Sequence, residues 1–138
     1  MPLHLRLGES DLLRCRFAVS PLWETQEAVR TLARPERHGY HLPWLRRVRE
    51  AAAGLDLAAV RLLMPQRGHS PDFLGPPPLG PAMTFAEEIA EVRRTPAELA
   101  RVDLAQSLAC TQGAAESALG RAMLADPGRA VQDLADAM

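Results

Sequence analysis

The sequence has no lysine, and all 16 of its basic residues are arginines. The chain has 17 acidic residues. The formal net charge is therefore −1, a balance that gives no general attraction to nucleic acid or to an anionic membrane. The lack of lysine is typical of a high-G+C genome, where arginine codons displace lysine codons. The arginines are scattered except at 46–49 and 93–94, so they predict no phosphate-binding surface.

Aromatic residues are also scarce, at 4% of the chain, so the core must come mainly from leucine, valine, alanine and methionine, which suits helices. The two cysteines, Cys15 and Cys110, follow no secretory signal, which predicts reduced thiols in a cytoplasmic protein. No apolar run approaches the roughly 20 residues of a membrane span. We therefore expect no membrane contact.

The remaining composition predicts one folded domain. The chain has 138 residues, 47% of them hydrophobic, which is enough for a single core. We predict a mainly α, irregular multi-helix domain over 1–138, with one short N-terminal β-strand and helices in 1–64, a long Pro/Gly-rich loop in 65–83 and C-terminal helices in 84–138. The last helix runs to the final residue with no capping residue after it, which predicts a truncated product.

Local patterns place the elements within these segments. Residues 2–7 alternate apolar and polar, which predicts a short strand whose partner lies in a second copy or outside this chain. Six of the 12 prolines lie in the loop 65–83, where no helix can persist, although Phe73 and Leu74 predict that the loop packs on the body. Helices are predicted at 9–14, 21–33, 43–53, 57–64, from 85, from 96, at 114–124 and from 127.

Capping residues support several of these helix starts. They are Ser20 before Pro21, Asp126 before Pro127, and the capping boxes Thr84-Phe-Ala-Glu87 and Thr95-Pro-Ala-Glu98. The helix that starts near residue 96 is predicted to bury Leu99, Val102 and Leu108, which recur at helical spacing.

The residues that carry chemistry form no recognisable catalytic or metal-binding motif, so we predict that the chain is not an enzyme and holds no metal or cofactor. The stretch 68–72 lacks the second glycine of a nucleophile elbow. His38 and His41 lie in a loop, whereas metal sites need ligands at a fixed spacing on a rigid element. A small hydrolase using Cys15 or Ser70 stays open, because the arginines on both sides of Cys15 favour its reactive thiolate.

The few aromatic residues are expected mainly to anchor the core. An alternative is that some of them line an apolar pocket closed by the proline-rich loop, because small-molecule sites are generally apolar with a few polar groups. This hypothesis assigns seven residues to the pocket: Trp23, Tyr40, Trp44, Arg46, His69, Asp72 and Phe73.

Short motifs occur in order along nearly the whole chain: Leu3-His-Leu-Arg-Leu-Gly8, Asp11-Leu-Leu-Arg-Cys-Arg-Phe-Ala-Val-Ser-Pro-Leu22, His41-Leu-Pro-Trp44, Pro71-Asp-Phe-Leu74, Arg93-Arg-Thr-Pro96 and Ala125-Asp-Pro127. Together they resemble the N-terminal domain of actinobacterial regulators that end in an ArsR-type winged helix-turn-helix. The resemblance implies a bacterial transcription factor whose N-terminal part senses, dimerises or positions the DNA-reading part. The winged helix itself is missing from this chain, so DNA binding is expected only through that missing region.

The sequence therefore favours a regulatory or interaction domain of a winged-helix transcription regulator. Its expected partners are a second copy of the chain or a DNA-binding winged-helix domain, with a small-molecule effector as an open option. The alternative from another class is a small-molecule-binding helical module without a DNA role.

Overall fold

Helices dominate the computed structural model, which describes residues 4–34, 39–65 and 68–138. Over these residues the mainly α prediction is confirmed. The α-helices are α1 (Glu9–Leu13), α2 (Pro21–Leu32), α3 (Leu42–Ala51), α4 (Ala58–Leu62), α5 (Phe85–Arg93), α6 (Ala97–Ala109), α7 (Ala118–Ala125) and α8 (Pro127–Ala137), with 3₁₀ turns at Gly39–His41 and Asp72–Leu74. No helix in the described ranges has the length and apolar character needed to cross a membrane.

The predicted N-terminal strand is not formed in the part of the segment that the structure describes. Residues 4–8 have no regular structure, and residues 2 and 3 lie outside the described ranges. An isolated strand leaves its backbone N–H and C=O groups without partners, so alternation alone cannot stabilise it. Among the described residues, β-type pairing is limited to a single parallel bridge between Val19 and Ala82, where the Val19 N–H donates to the Pro81 carbonyl at 3.1 Å.

Three of the predicted helix starts are confirmed by their caps. The Ser20 hydroxyl accepts the Trp23 N–H at 3.1 Å at the start of α2. At the start of α5, Thr84 and Glu87 form the reciprocal capping box, and the Thr84 hydrogen bonds lower the pKa of the Glu87 carboxyl. The carboxylate of Asp126 accepts the Arg129 N–H at 3.0 Å at the start of α8.

Two other helix starts differ from the prediction. The second capping box is wrong, because the N-cap of α6 is Pro96 rather than Thr95 and no side chain caps this helix. The helix predicted from residue 114 begins at Ala118, because Ser117 provides the cap by accepting the Gly120 N–H at 2.9 Å. Residues 112–116 form turns instead.

The core lies where α6 and α8 pack together with α4, α5 and α7. The predicted buried face of α6 is only partly right: Leu108 is buried, but Leu99 and Val102 are exposed. The apolar residues of α6 are distributed around its whole circumference, so their spacing does not indicate which face is buried. The face that packs consists of Ala100, Leu104, Ser107 and Leu108.

The proline-rich loop packs on the body, as predicted from Phe73 and Leu74, which are both buried. The Gln26 amide donates to the Leu74 carbonyl at 2.7 Å, and the Phe73 N–H donates to the Asp103 carboxylate at 3.2 Å. These two contacts attach the middle of the loop to α2 on one side and to α6 on the other.

A buried carboxylate joins α5 to the beginning of α2. Glu88 is 1% exposed, and its Oε2 accepts the Leu22 N–H at 2.8 Å. The first N–H groups of a helix have no partner within the helix and carry its positive end, so an acceptor of negative charge is favourable there. The other oxygen of Glu88 is buried and has no hydrogen-bond partner among the described residues.

Replacing Glu88 should lower stability in a graded way. We expect Glu88→Ala to reduce the free energy of unfolding by about 1–3 kcal/mol, because the buried Leu22 N–H loses its acceptor. Glu88→Gln should cost less, since its amide oxygen can still accept this hydrogen bond. Glu116→Gln, at an exposed position, is the control and should change stability by less than about 0.5 kcal/mol. Urea denaturation measures all three, and an unchanged Glu88→Ala midpoint would contradict the assignment.

Candidate binding cleft

A cleft of about 320 Å³ lies between α2 and the proline-rich loop. Its size falls at the lower end of the range for small-molecule sites. Two residues of the predicted pocket, Trp23 and Asp72, line it together. The full lining is Trp23, Gln26, Arg30, Ser70, Pro71, Asp72, Gly75 and Pro77.

One face of α2 provides the helical wall of the cleft. Trp23, Gln26 and Arg30 are spaced three and four residues apart, which places them on the same side of the helix. Gln26 is buried and hydrogen-bonded to the loop carbonyl of Leu74, so its amide holds the loop against the helix. The Arg30 guanidinium donates to the Glu27 carboxylate at 2.6 Å and to the Ser70 hydroxyl at 2.9 Å. At the polar end of the cleft, Arg30 therefore connects α2 to the loop through its hydrogen bond to Ser70.

The indole of Trp23 packs directly on the loop backbone at Gly75. A Cβ atom added to Gly75 would lie 2.9 Å from both Cε2 and Cζ2 of the ring. Glycine allows this close approach, because any larger residue here would force the indole to move. The ring remains 44% exposed, so its other surface is available to a ligand in the cleft.

The remaining predicted pocket residues are distributed over other parts of the molecule. Phe73 is buried in the core, next in sequence to Asp72. Trp44 lines a different cleft of about 310 Å³, with residues of α2 and with His41. Tyr40 is fully exposed in its 3₁₀ turn, and Arg46 is exposed on α3.

His69, the seventh predicted residue, lies where the loop meets α6. Its backbone N–H donates to the Cys110 sulfur at 3.2 Å, while its imidazole Nε2 is buried without a hydrogen-bond partner among the described residues. One ligand atom from each of His69, Asp72 and Asp103 lies within 4.8 Å of the others. Sequence reasoning missed Asp103, because nothing in its local sequence separates it from the other acidic residues on helices.

The residues considered for other chemistry lie far from one another in the chain. Cys15 is exposed, in the segment that precedes α2. The Ser70 hydroxyl accepts a hydrogen bond from Arg30, so its nearest described partner is a cation rather than a general base. His38, one half of the histidine pair, lies outside the described residues.

Comparison of the chain with models of protein families, with curated proteins and with solved structures finds no match. These comparisons add no support for the resemblance to ArsR-type regulators, which stays a prediction from the motifs.

Adding a side chain at Gly75, where the Trp23 ring packs on the backbone, should widen the cleft. We expect Gly75→Ala to displace the indole toward solvent and to shift its fluorescence emission to longer wavelength. The measurement uses a Trp44→Phe background, so that Trp23 is the sole tryptophan, and an excitation wavelength that tyrosine does not absorb. Gly80→Ala is the matched control, because a Cβ atom there meets nothing within 4 Å. An unchanged emission spectrum for Gly75→Ala would show that the ring does not pack on the loop.

Proposed function

We propose that this chain is the regulatory and interaction domain of a bacterial winged-helix transcription regulator of the ArsR type, and that it acts by self-association. The observation that carries the proposal is the N-terminal arm, residues 4–19. Six large apolar side chains are exposed along it: Leu5, Leu7, Leu12, Leu13, Phe17 and Val19.

Exposed apolar side chains in such density are unusual for a surface that faces only water. Single exposed leucines need no explanation, but a contiguous group marks a site of contact with another surface. Phe17 is 92% exposed and Leu13 is 79% exposed. Two of the motifs that carry the family resemblance, 3–8 and 11–22, fall largely within the same arm.

Apart from the Val19 bridge to Ala82 at its end, the arm buries no side chain that would stabilise it. Its helix, α1, has five residues and buries none of them. Helices this short are not stable by themselves in water, because the cost of nucleation is not recovered over so few hydrogen bonds. A second apolar surface would supply the missing stabilisation.

Charge along the arm favours a second copy as that surface. Around α1, acidic Glu9 and Asp11 lie between Arg6 on one side and Arg14 and Arg16 on the other. Asp11 and Arg14 lie 3.9 Å apart within one chain, and two arms in antiparallel alignment would also place acid against base. Such self-complementarity is the requirement for a two-fold symmetric interface. Winged-helix readers with dimeric symmetry match paired half-sites on DNA, so a dimerising domain serves the proposed role.

Substitutions in the arm should change the oligomeric state. We expect the wild-type chain to sediment as a dimer and Leu13→Ser to sediment as a monomer, because the substitution removes an apolar contact at the interface. Leu79→Ser is the matched control, since Leu79 is 77% exposed in the proline-rich loop. Sedimentation velocity over a range of concentrations gives the result, and a wild-type monomer throughout would refute self-association.

The regulator role has its own test on DNA. We expect the intact gene product that carries this chain to shift its own promoter fragment in a gel, while the chain alone does not. Leu13→Ser in the intact product should weaken the shift, whereas Leu79→Ser should leave it unchanged. An intact product that ignores its promoter would refute the regulator role, and the sedimentation result would stand independently.

A second candidate function is that of a small-molecule-binding helical module without a DNA role. The cleft at Trp23 favours it, because one aromatic surface lies beside the polar side chains of Arg30, Ser70 and Asp72. Ligands found by thermal shift should lose affinity in Gly75→Ala and keep it in Gly80→Ala.

A further inference from the structure

We propose that His69, Asp72 and Asp103 form a binding site for a first-row divalent cation, and that the cation fastens the proline-rich loop to α6. Their three ligand atoms lie within 4.8 Å of one another. Ligand atoms on one tetrahedral Zn²⁺ lie about 2.0–2.2 Å from the metal and therefore about 3.3–3.6 Å from one another. Side-chain rotations that move these atoms by about 1 Å bring the three groups onto a single ion.

The imidazole of His69 provides an independent reason for a ligand at this place. Its Nε2 is buried and has no hydrogen-bond partner among the described residues. A buried polar atom without a partner costs free energy, and most such atoms in proteins are hydrogen-bonded. Neutral imidazole is also the commonest metal ligand among side chains.

A backbone hydrogen bond holds one of the ligands in place before a metal arrives. The Phe73 N–H donates to the Asp103 carboxylate at 3.2 Å, which orients this ligand in the way that supporting hydrogen bonds do in metal sites. On the other side, a Cβ atom added to Gly68 would lie 2.6 Å from the Cys110 sulfur, so the loop approaches α6 closely just before His69.

The ligand set determines the class of cation. One imidazole nitrogen and two carboxylate oxygens suit Zn²⁺ and its first-row neighbours, whereas thiolate-rich sites favour softer ions and all-oxygen sites favour Mg²⁺ or Ca²⁺. Three protein ligands leave at least one coordination position for water. Because Asp103 belongs to α6 while His69 and Asp72 belong to the loop, binding would connect two separate parts of the chain.

The site is tested by calorimetric titration of Zn²⁺ into the full chain after treatment with a chelator. We expect one site in the wild type, and a loss of affinity of at least about tenfold in His69→Ala, Asp72→Asn and Asp103→Asn. Zn²⁺ should raise the melting temperature of the wild type and leave that of the three variants unchanged, because a cation that binds only the folded state stabilises it. Asp72 is exposed, so Asp72→Asn tests the site even where the other two variants fail to fold.

Matched controls separate this site from other zinc-binding groups. His4→Ala and Glu98→Gln change an exposed imidazole and an exposed carboxylate elsewhere, and should bind Zn²⁺ as the wild type does. Cys110→Ser should also retain binding, and Co²⁺ should give no thiolate charge-transfer band. The proposal is overturned by a wild type that does not bind Zn²⁺, by full affinity in Asp72→Asn, or by loss of binding in Cys110→Ser. It does not depend on the proposed regulatory function, since the titration requires neither DNA nor self-association.

Discussion

The hydrogen bond between the buried Glu88 carboxylate and the Leu22 N–H is the constraint on which the N-terminal half depends. Ser20 caps α2 locally, but a local cap does not determine where the helix lies on the body. Glu88 does, because it reaches the same helix end from α5 and is completely enclosed. With the start of α2 fixed, the face that carries Trp23, Gln26 and Arg30 must point toward the proline-rich loop. Gln26 lies one helical turn after Leu22 on the same side of α2, so the contact at the helix start and the wall of the cleft are neighbours.

The loop that closes the cleft has few backbone hydrogen bonds of its own, because proline removes donors. Side chains from other elements replace them: Gln26 binds the Leu74 carbonyl, and Asp103 binds the Phe73 N–H. Burial of Phe73 and Leu74 supplies the apolar part of the attachment. This explains why a segment with so many prolines and glycines has a defined shape, and why a metal ion at His69 would reinforce an existing junction.

Features that depend on residues close in sequence, such as helix caps, are predicted correctly. Features that depend on packing against a distant element are not. Ser20, Thr84 and Asp126 predict their helix starts because a cap and the N–H it binds lie within three residues of each other. The prediction for the buried face of α6 is only partly right, because Leu99 and Val102 are as apolar as Leu104, and the positions of α7, α8 and the proline-rich loop decide which residues pack. The candidate site shows the same division: Trp23 and Asp72 are predicted from their residue types, but Gln26 and Arg30 are not, and Asp103 reaches the loop only through the tertiary fold.

The residues that form the core differ from the apolar residues that the N-terminal arm exposes. The core is formed by leucine, valine and alanine at positions that many helical proteins would fill in the same way. The motifs behind the family resemblance contain core residues such as Leu22 and Leu74, but they also contain Phe17, Leu13 and Leu42, all of which are exposed. Exposed apolar residues contribute nothing to the stability of an isolated chain and increase its tendency to aggregate. Their occurrence in the arm is therefore explained more readily by contact with another surface than by folding, and self-association is the form of contact that the arm's own charges favour.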